Sequence, residues 1–379
     1  NRGNYMASSI KKVILGLTTI FICVVVIVYS KEISAGVIKG MLTSVNIIIP
    51  SLLPFMVLSG FISLSPLNSI VSKPFALFTK KILKMPHQLG TVILMSIIGG
   101  YPVGAKTLAT MLGNKSISEH TAEKMLCYCV NAGPSFVISA VGVAMFANYK
   151  IGVILFVSQI ISSLIIAIFT GYLYDDKDEI TNYTEHSYSY SNAFVKAVIN
   201  SSEAMLIICA FVIIFSAIIS LLDYSGILNW FSLLLSHALW FINSDADLYK
   251  CIISGILEVT TGCISTIRLE GNLSLLLCGC FISFGGLSVI FQVMSCFSGY
   301  KINFKPFIIS RFANSILTAA ICYILGINKI LYTVNSAAQY DRPVAAFNSS
   351  SHMLLFLMLF LATIMLLSIN FKHQNFKKI

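Results

Sequence analysis

Gly99-Gly-Tyr-Pro-Val-Gly-Ala-Lys106 interrupts an otherwise apolar segment, leaving arms of about ten residues on either side, Leu89–Ile98 and Val103–Leu112. A helix rises 1.5 Å per residue, so each arm reaches only about halfway through a ~30 Å hydrocarbon core. The pattern predicts a re-entrant helical hairpin whose tip, with Gly99, Gly100, Pro102 and Gly104, lies near the bilayer midplane. Working outward, a second interruption, Asn131-Ala-Gly-Pro-Ser135, falls inside the segment 118–146. Pro134 has no N–H for the helix ladder and Gly133 weakens it, so a broken helix is expected there. Broken backbone at membrane depth is tolerated only inside protein or beside a cavity.

Both features recur. Gly255-Ile-Leu-Glu-Val-Thr-Thr-Gly262 reads as a second hairpin tip, and Ser283-Phe-Gly-Gly286, with Gly285 and Gly286, as a second break inside Leu273–Phe297. Short matches tie the halves together in order: Leu58–Leu64 with Phe215–Leu221, Ile97–Gly100 with Ile252–Gly255, Leu126–Cys129 with Leu277–Cys280, and Tyr149–Ile151 with Tyr300–Ile302. Four matches in register indicate a duplication. Each copy crosses the bilayer three times, because a hairpin enters and leaves on one side. The odd count inverts the second copy, the plan of many secondary transporters.

The fold expected is therefore an all-α polytopic membrane protein of inverted repeats, with two re-entrant hairpins and two broken helices. Spans are expected at 12–30, 48–65, 118–146, 149–173, 200–222, 272–298, 303–326 and 351–370, with surface helices near 73–85 and 225–243. The chain divides into an N-terminal transmembrane helix (1–33), repeat 1 (34–174, hairpin near 89–113), a polar cytoplasmic linker (175–192) and repeat 2 (193–326, hairpin near 248–269). An external loop, a last transmembrane helix and a basic cytoplasmic tail follow (327–379).

Composition agrees. Of the 379 residues, 57% are hydrophobic and only 11% charged, against roughly 25% charged in a soluble domain. Mean hydropathy is +0.86. Soluble enzymes, nucleic-acid binders and disulfide scaffolds are excluded. The ten cysteines fall largely in apolar segments, where free Cys acts as a small hydrophobe, and no metal site is expected. Asn1–Tyr5 reads as an added leader before Met6, and the first apolar run, followed by Lys31-Glu32, does not resemble a cleavable signal.

The net charge of +10 bears on orientation. On the proposed topology sixteen Lys and Arg lie on the side of both termini. Seven lie opposite: Lys31, Lys39, Lys150, Lys250, Arg268, Lys329 and Arg342. By the positive-inside rule both termini are cytoplasmic. The other two, Lys106 and Arg311, fall at membrane depth.

Ionisable groups there are functional candidates. Lys106, just past the first tip, either meets an anionic substrate group, pairs with Glu258 or snorkels to water. Glu258, at the second tip with Thr260 and Thr261, either carries a coupled proton or cation or neutralises Lys106. Helix N-termini near 103, 134, 260 and 286 converge on the midplane, where unpaired N–H groups favour anions. Asn131, Ser135, Ser283 and Ser288 supply neutral hydrogen bonds or are interhelical glue. Gln159 and Arg311, at matching places in the last helix of each copy, either face the cavity or, for Arg311, partner a broken-helix carbonyl. Tyr101 lies within the first tip. No H-E-x-x-H or P-loop occurs, and no enzyme is expected.

With these residues in hand, the chain resembles the YlbJ/SpoVV family of sporulation integral membrane proteins. That family belongs with the nucleoside-recognition Gate-domain proteins. The resemblance rests on Pro50-Ser-Leu-Leu-Pro-Phe55, Gly99–Lys106, Asn131–Ser135, Gly255–Glu258 with Thr261-Gly-Cys263, and Phe284-Gly-Gly-Leu-Ser288. It implies kinship with concentrative nucleoside transporters, whose hairpins and broken helices form the substrate site and move as an elevator. It also implies a link to dipicolinic acid movement during sporulation, in the outer forespore membrane. The function expected is export of a small anion such as dipicolinate, with Lys106 neutralising a carboxylate. The alternatives are a cation-coupled nucleoside or nucleobase symporter and a non-transporting spore-envelope scaffold. A coupling ion, sodium or proton, and a homo-oligomer are possible under that resemblance; the lipid bilayer is the expected surrounding.

Overall fold

The computed structural model describes residues 2–67, 70, 89–173, 188–238, 246–269 and 271–326. All regular elements among them are helical. Among the described residues, five helices are long and apolar enough to cross a membrane. The expected surface helix near 73–85, most of the linker and the last span with its tail lie outside the described residues.

The chain opens with α1 (Arg2–Val28). Next comes α2 (Ser30–Leu64), a 35-residue helix with a π-helical stretch at Ser44–Ile48. The stretch ends two residues before Pro50, and Pro54 follows inside the helix. Each proline removes a ladder donor, and the Ser51 hydroxyl donates to the Ile47 carbonyl at 2.6 Å. Hairpin 1 is α3 (Gly90–Gly99) and α4 (Tyr101–Gly113), turning at Gly100. The first broken helix is α5 (Glu119–Leu126), a non-helical bridge and a π-helix at Ser135–Met145. It is followed by α6 (Tyr149–Leu173).

The second half repeats this order. It contains α7 (Tyr190–Tyr224, 35 residues), the surface helix α8 (Ile227–Ala238), and hairpin 2, made of α9 (Ala246–Leu257) and α10 (Val259–Thr266). The second broken helix is α11 (Asn272–Phe284) with α12 (Gly286–Cys296), and α13 (Lys305–Gly326) closes the set.

Two expected boundaries are corrected. The spans at 48–65 and 200–222 are the inner parts of the longer helices α2 and α7. Lys31 and Lys39, which fall between the first two expected spans, are exposed on α2.

These two long helices pack on each other through small residues. A Cβ on Gly36 would lie 2.7 Å from Ala217 Cα, one on Gly40 would lie 2.7 Å from Ile213 Cα, and one on Gly60 would lie 3.3 Å from Ala197 Cβ. Numbers rise along α2 as they fall along α7, so the corresponding helices of the two copies run antiparallel. Small residues at such seams let backbones approach, which is what holds helices together without a hydrophobic driving force.

The main core joins hairpins, broken helices, α6 and α13. A smaller cluster of Ile48, Met56, Ala204, Met205, Ile208 and Val212 lies within the α2/α7 pair. The molecule thus has a hairpin body and a flanking helix pair, with the candidate site between them.

Candidate functional site

A crevice runs between the two bodies. The flanking pair gives it four aliphatic side chains: Ile48 and Leu52 from α2, Ile208 and Val212 from α7. The hairpin body gives it the tip Gly99–Tyr101, the first break at Gly133, Ser135 and Phe136, and the second tip at Glu258, Val259 and Thr260. Ser288, Val289 and Gln292 of α12 complete the lining.

Glycine makes these approaches possible. Gly100 has φ +86°, and a Cβ there would lie 3.2 Å from Gly133 N. Gly286, at φ +71°, would carry its Cβ 3.2 Å from Leu257 O and Val259 N. A Cβ on Gly104 would fall 1.9 Å from Cys129 O. In each copy, then, the hairpin tip rests backbone to backbone on the break of its own broken helix.

Four helix N-termini consequently meet at the crevice: α4, the π-helix, α10 and α12. The first turn of a helix leaves N–H groups without intrahelical partners and carries the positive dipole end. Three of the four, behind Gly100, Pro134 and Gly285, have no side-chain cap. Pro102 stands in the first turn of α4. The fourth is capped by Glu258, whose Oε1 accepts from the Thr260 N–H at 2.8 Å and Oε2 from the Thr261 N–H at 2.6 Å. The Ser288 hydroxyl is 1% exposed, lines the crevice and has no hydrogen-bond partner. A buried polar group without a partner is uncommon and needs a reason.

Behind the crevice a polar seam binds the two breaks into one body. The Tyr101 hydroxyl, from the first tip, donates to the Ile282 carbonyl next to the second break. Arg311, 1% exposed, donates through one terminal nitrogen to Val130 O and to Ser283 O (3.4 Å), and through the other to Cys127 O at 2.7 Å. Gln159 Nε2 donates to Ala132 O at 3.0 Å. Asn131 donates to Tyr128 O at 2.7 Å and accepts from the Ser163 hydroxyl. Ser163 in turn accepts from Asn314 at 3.3 Å, and the Ser283 and Thr318 hydroxyls pair at 2.6 Å.

The residues singled out in the sequence therefore divide. Tyr101, Ser135, Glu258, Thr260 and Ser288 come together at the crevice with Gly99, Gly100 and Gly133. Thr261 adjoins them through the cap. Asn131 and Ser283 do not line the crevice, because their side chains turn to α6 and α13. Gln159 and Arg311 face broken-helix carbonyls, which leaves for Arg311 the second of its two readings.

Of the readings for Lys106, the structure removes the pairing with Glu258. The lysine lies six residues beyond Gly100, and its ammonium pairs with Glu203 of α7 at 3.5 Å. It makes no pair with Glu258, whose two oxygens are both engaged by backbone N–H groups. Lys106 lines a separate cavity of about 380 Å³ with Thr110, Ser295 and Tyr300. Gln292, not singled out in the sequence, lines both this cavity and the crevice. Its signal was its place four residues after Ser288, one turn along the same helix face. Ser163 and Asn314 were missed because each carries only an ordinary polar side chain in an apolar helix.

No family model matches the chain. Over 313 residues it is 28% identical to the sporulation integral membrane protein YlbJ of Bacillus subtilis (strain 168), covering 76% of each protein. It also superposes on the concentrative nucleoside transporter CNTnw, solved in an inward-facing substrate-bound state. The TM-score is 0.51 and the identity 12%, over 85% of this chain and 86% of that one. The chain is thus an integral membrane protein similar in sequence to YlbJ, with the fold of a concentrative nucleoside transporter.

Proposed function

We propose that the chain is a secondary transporter for a small planar anion, with dipicolinate the leading substrate, exported during sporulation. One observation carries the reading: three uncapped helix N-termini and the unpartnered Ser288 hydroxyl open onto a single crevice. Backbone N–H groups at helix N-termini are suited to carboxylates. Phe136 and the four aliphatic side chains suit the faces of an aromatic ring. YlbJ, by its name a sporulation protein, sets the biological context.

In this reading the two helical hairpins are re-entrant and Gate-like, both termini are cytoplasmic, and the membrane is the outer forespore membrane. The hairpin body slides against α2 and α7 to give alternating access. Glu258 and Thr260 close the crevice from the second hairpin, and a proton or sodium ion is the coupling ion if coupling exists.

A second reading, a cation-coupled nucleoside or nucleobase symporter, is favoured by two features. No Lys or Arg lines the crevice among the described residues, and Glu258 with Gln292 offers hydrogen bonds suited to a neutral heterocycle. Tracer flux in proteoliposomes separates the two. Saturable dipicolinate flux that excess uridine leaves unchanged supports the anion carrier, whereas uridine flux without dipicolinate flux establishes the symporter instead.

A further inference from the structure

We infer that the Lys106 cavity is a second anion site, an antechamber in which a substrate carboxylate displaces Glu203 from the Lys106 ammonium before passing Gln292 into the crevice. This rests on the transport reading above and adds a site to it.

The cavity is large enough to be occupied. At about 380 Å³ it falls within the range of small-molecule pockets, roughly 300–1,000 Å³. It adjoins the crevice, since Gln292 forms part of both linings. Tyr300 adds a phenol and Ser295 a hydroxyl.

The charge at its wall is available for exchange. The Lys106 and Glu203 side chains are 43% and 63% exposed and 3.5 Å apart, and exposed pairs of this kind are weak. Glu203 already offers Lys106 the chemical group that a dicarboxylate substrate would offer. Substrate and Glu203 are therefore competitors for one cation.

Position gives the exchange a role. Lys106 belongs to α4 of the hairpin body and Glu203 to α7 of the flanking pair, so the ion pair spans the boundary along which the bodies would slide. A similar pair, Lys250 with Asp223 at 3.8 Å, joins hairpin 2 to α7 some 30 Å further along, at 1.5 Å per residue. Neither of its members lines the crevice or the Lys106 cavity. Of these two pairs, the Lys106 pair is the one with a member in the wall of a cavity.

Cys296, which also lines the cavity, provides the readout. The full-length protein is labelled with a small maleimide, and modification of the Cys296 peptide is followed by mass spectrometry. Dipicolinate is expected to slow labelling, whereas pyridine-2,6-dimethanol, with the same ring and no charge, is not. Lys106→Gln should raise the half-protecting dipicolinate concentration about fivefold, and Glu203→Gln should lower it by a similar factor, the upper end for an exposed pair. Equal protection by the neutral analogue would overturn the inference without recourse to any variant. So would a half-protecting concentration unchanged in both variants. Ser288→Ala should lower flux while leaving Cys296 protection intact. Charge-dependent protection without flux would defeat the transport reading alone, and flux without such protection would defeat the antechamber alone.

Discussion

The two hairpin tips do the same backbone work with opposite chemistry. Each turns a short helical pair and rests on the break of the broken helix that follows it. At the first tip the turn is made by Gly100 at φ +86°, which leaves α4 uncapped. At the second it is made by Glu258 in extended conformation, φ −147° and ψ 124°, whose carboxylate holds two N–H groups of α10. A duplicated scaffold has thus been given one N-terminus open to a ligand and one neutralised from within. The asymmetry begins with this pair of residues and extends to the breaks, where Pro134 precedes a π-helix and the left-handed Gly285 an α-helix.

The largest effect should come from cutting the joint between the two breaks. Arg311→Met leaves the carbonyls of Val130, Ser283 and Cys127 without their donor. It should cost about 4 kcal/mol, since each buried carbonyl left without a donor costs about 1–3 kcal/mol. Arg311→Lys, with its charge but without the fork, should fall between. Thermal unfolding of the purified variants in detergent would measure both.

Gly100→Ala tests the first tip. Its backbone lies in a region that essentially only glycine adopts, at about 1–3 kcal/mol for other residues, and the added Cβ would meet Gly133 N at 3.2 Å. Flux should fall together with thermal stability. An unchanged protein would mean that the tip is not held as described.

At the second tip, Glu258→Ala should cost about 1–2 kcal/mol as a lost cap. Glu258→Gln is the sharper probe, because it removes charge while keeping an acceptor. An anion carrier should then bind its substrate more tightly, and a neutral-heterocycle carrier should not; equilibrium binding of dipicolinate and uridine decides between them. The smallest effect is expected from Tyr101→Phe, which removes one hydrogen bond to Ile282 O, about 1 kcal/mol.

Where the backbone breaks was legible in the sequence. Glycine, proline and the length of the apolar arms are local signals, and they located both hairpins and both broken helices to within a few residues. Duplication was legible too, because four short matches kept their order. Side-chain destinations were not. Lys106 was read just past the tip, with an anion, Glu258 or water as its partner, yet the helix that restarts at Tyr101 carries its ammonium to Glu203 of α7. Asn131 sits in a break beside the crevice and nevertheless bonds Ser163. Which of two facing helices claims a polar group depends on the packing of elements far apart in the chain. Arg311 makes the point most fully, since three carbonyls from two different breaks had to be brought together before its task existed.

The face that α2 and α7 turn toward the crevice consists of Ile48, Leu52, Ile208 and Val212, backed by a seam in which glycines lock the two helices together. In mechanical terms this is a stiff rail with a greased surface. Dispersion contacts between aliphatic groups are individually small and have no preferred partner, so a body moving past them exchanges one set for another nearly alike. In the proposed transport cycle friction along such a face would be low, and the resistance would fall to the Lys106–Glu203 and Lys250–Asp223 pairs that cross it.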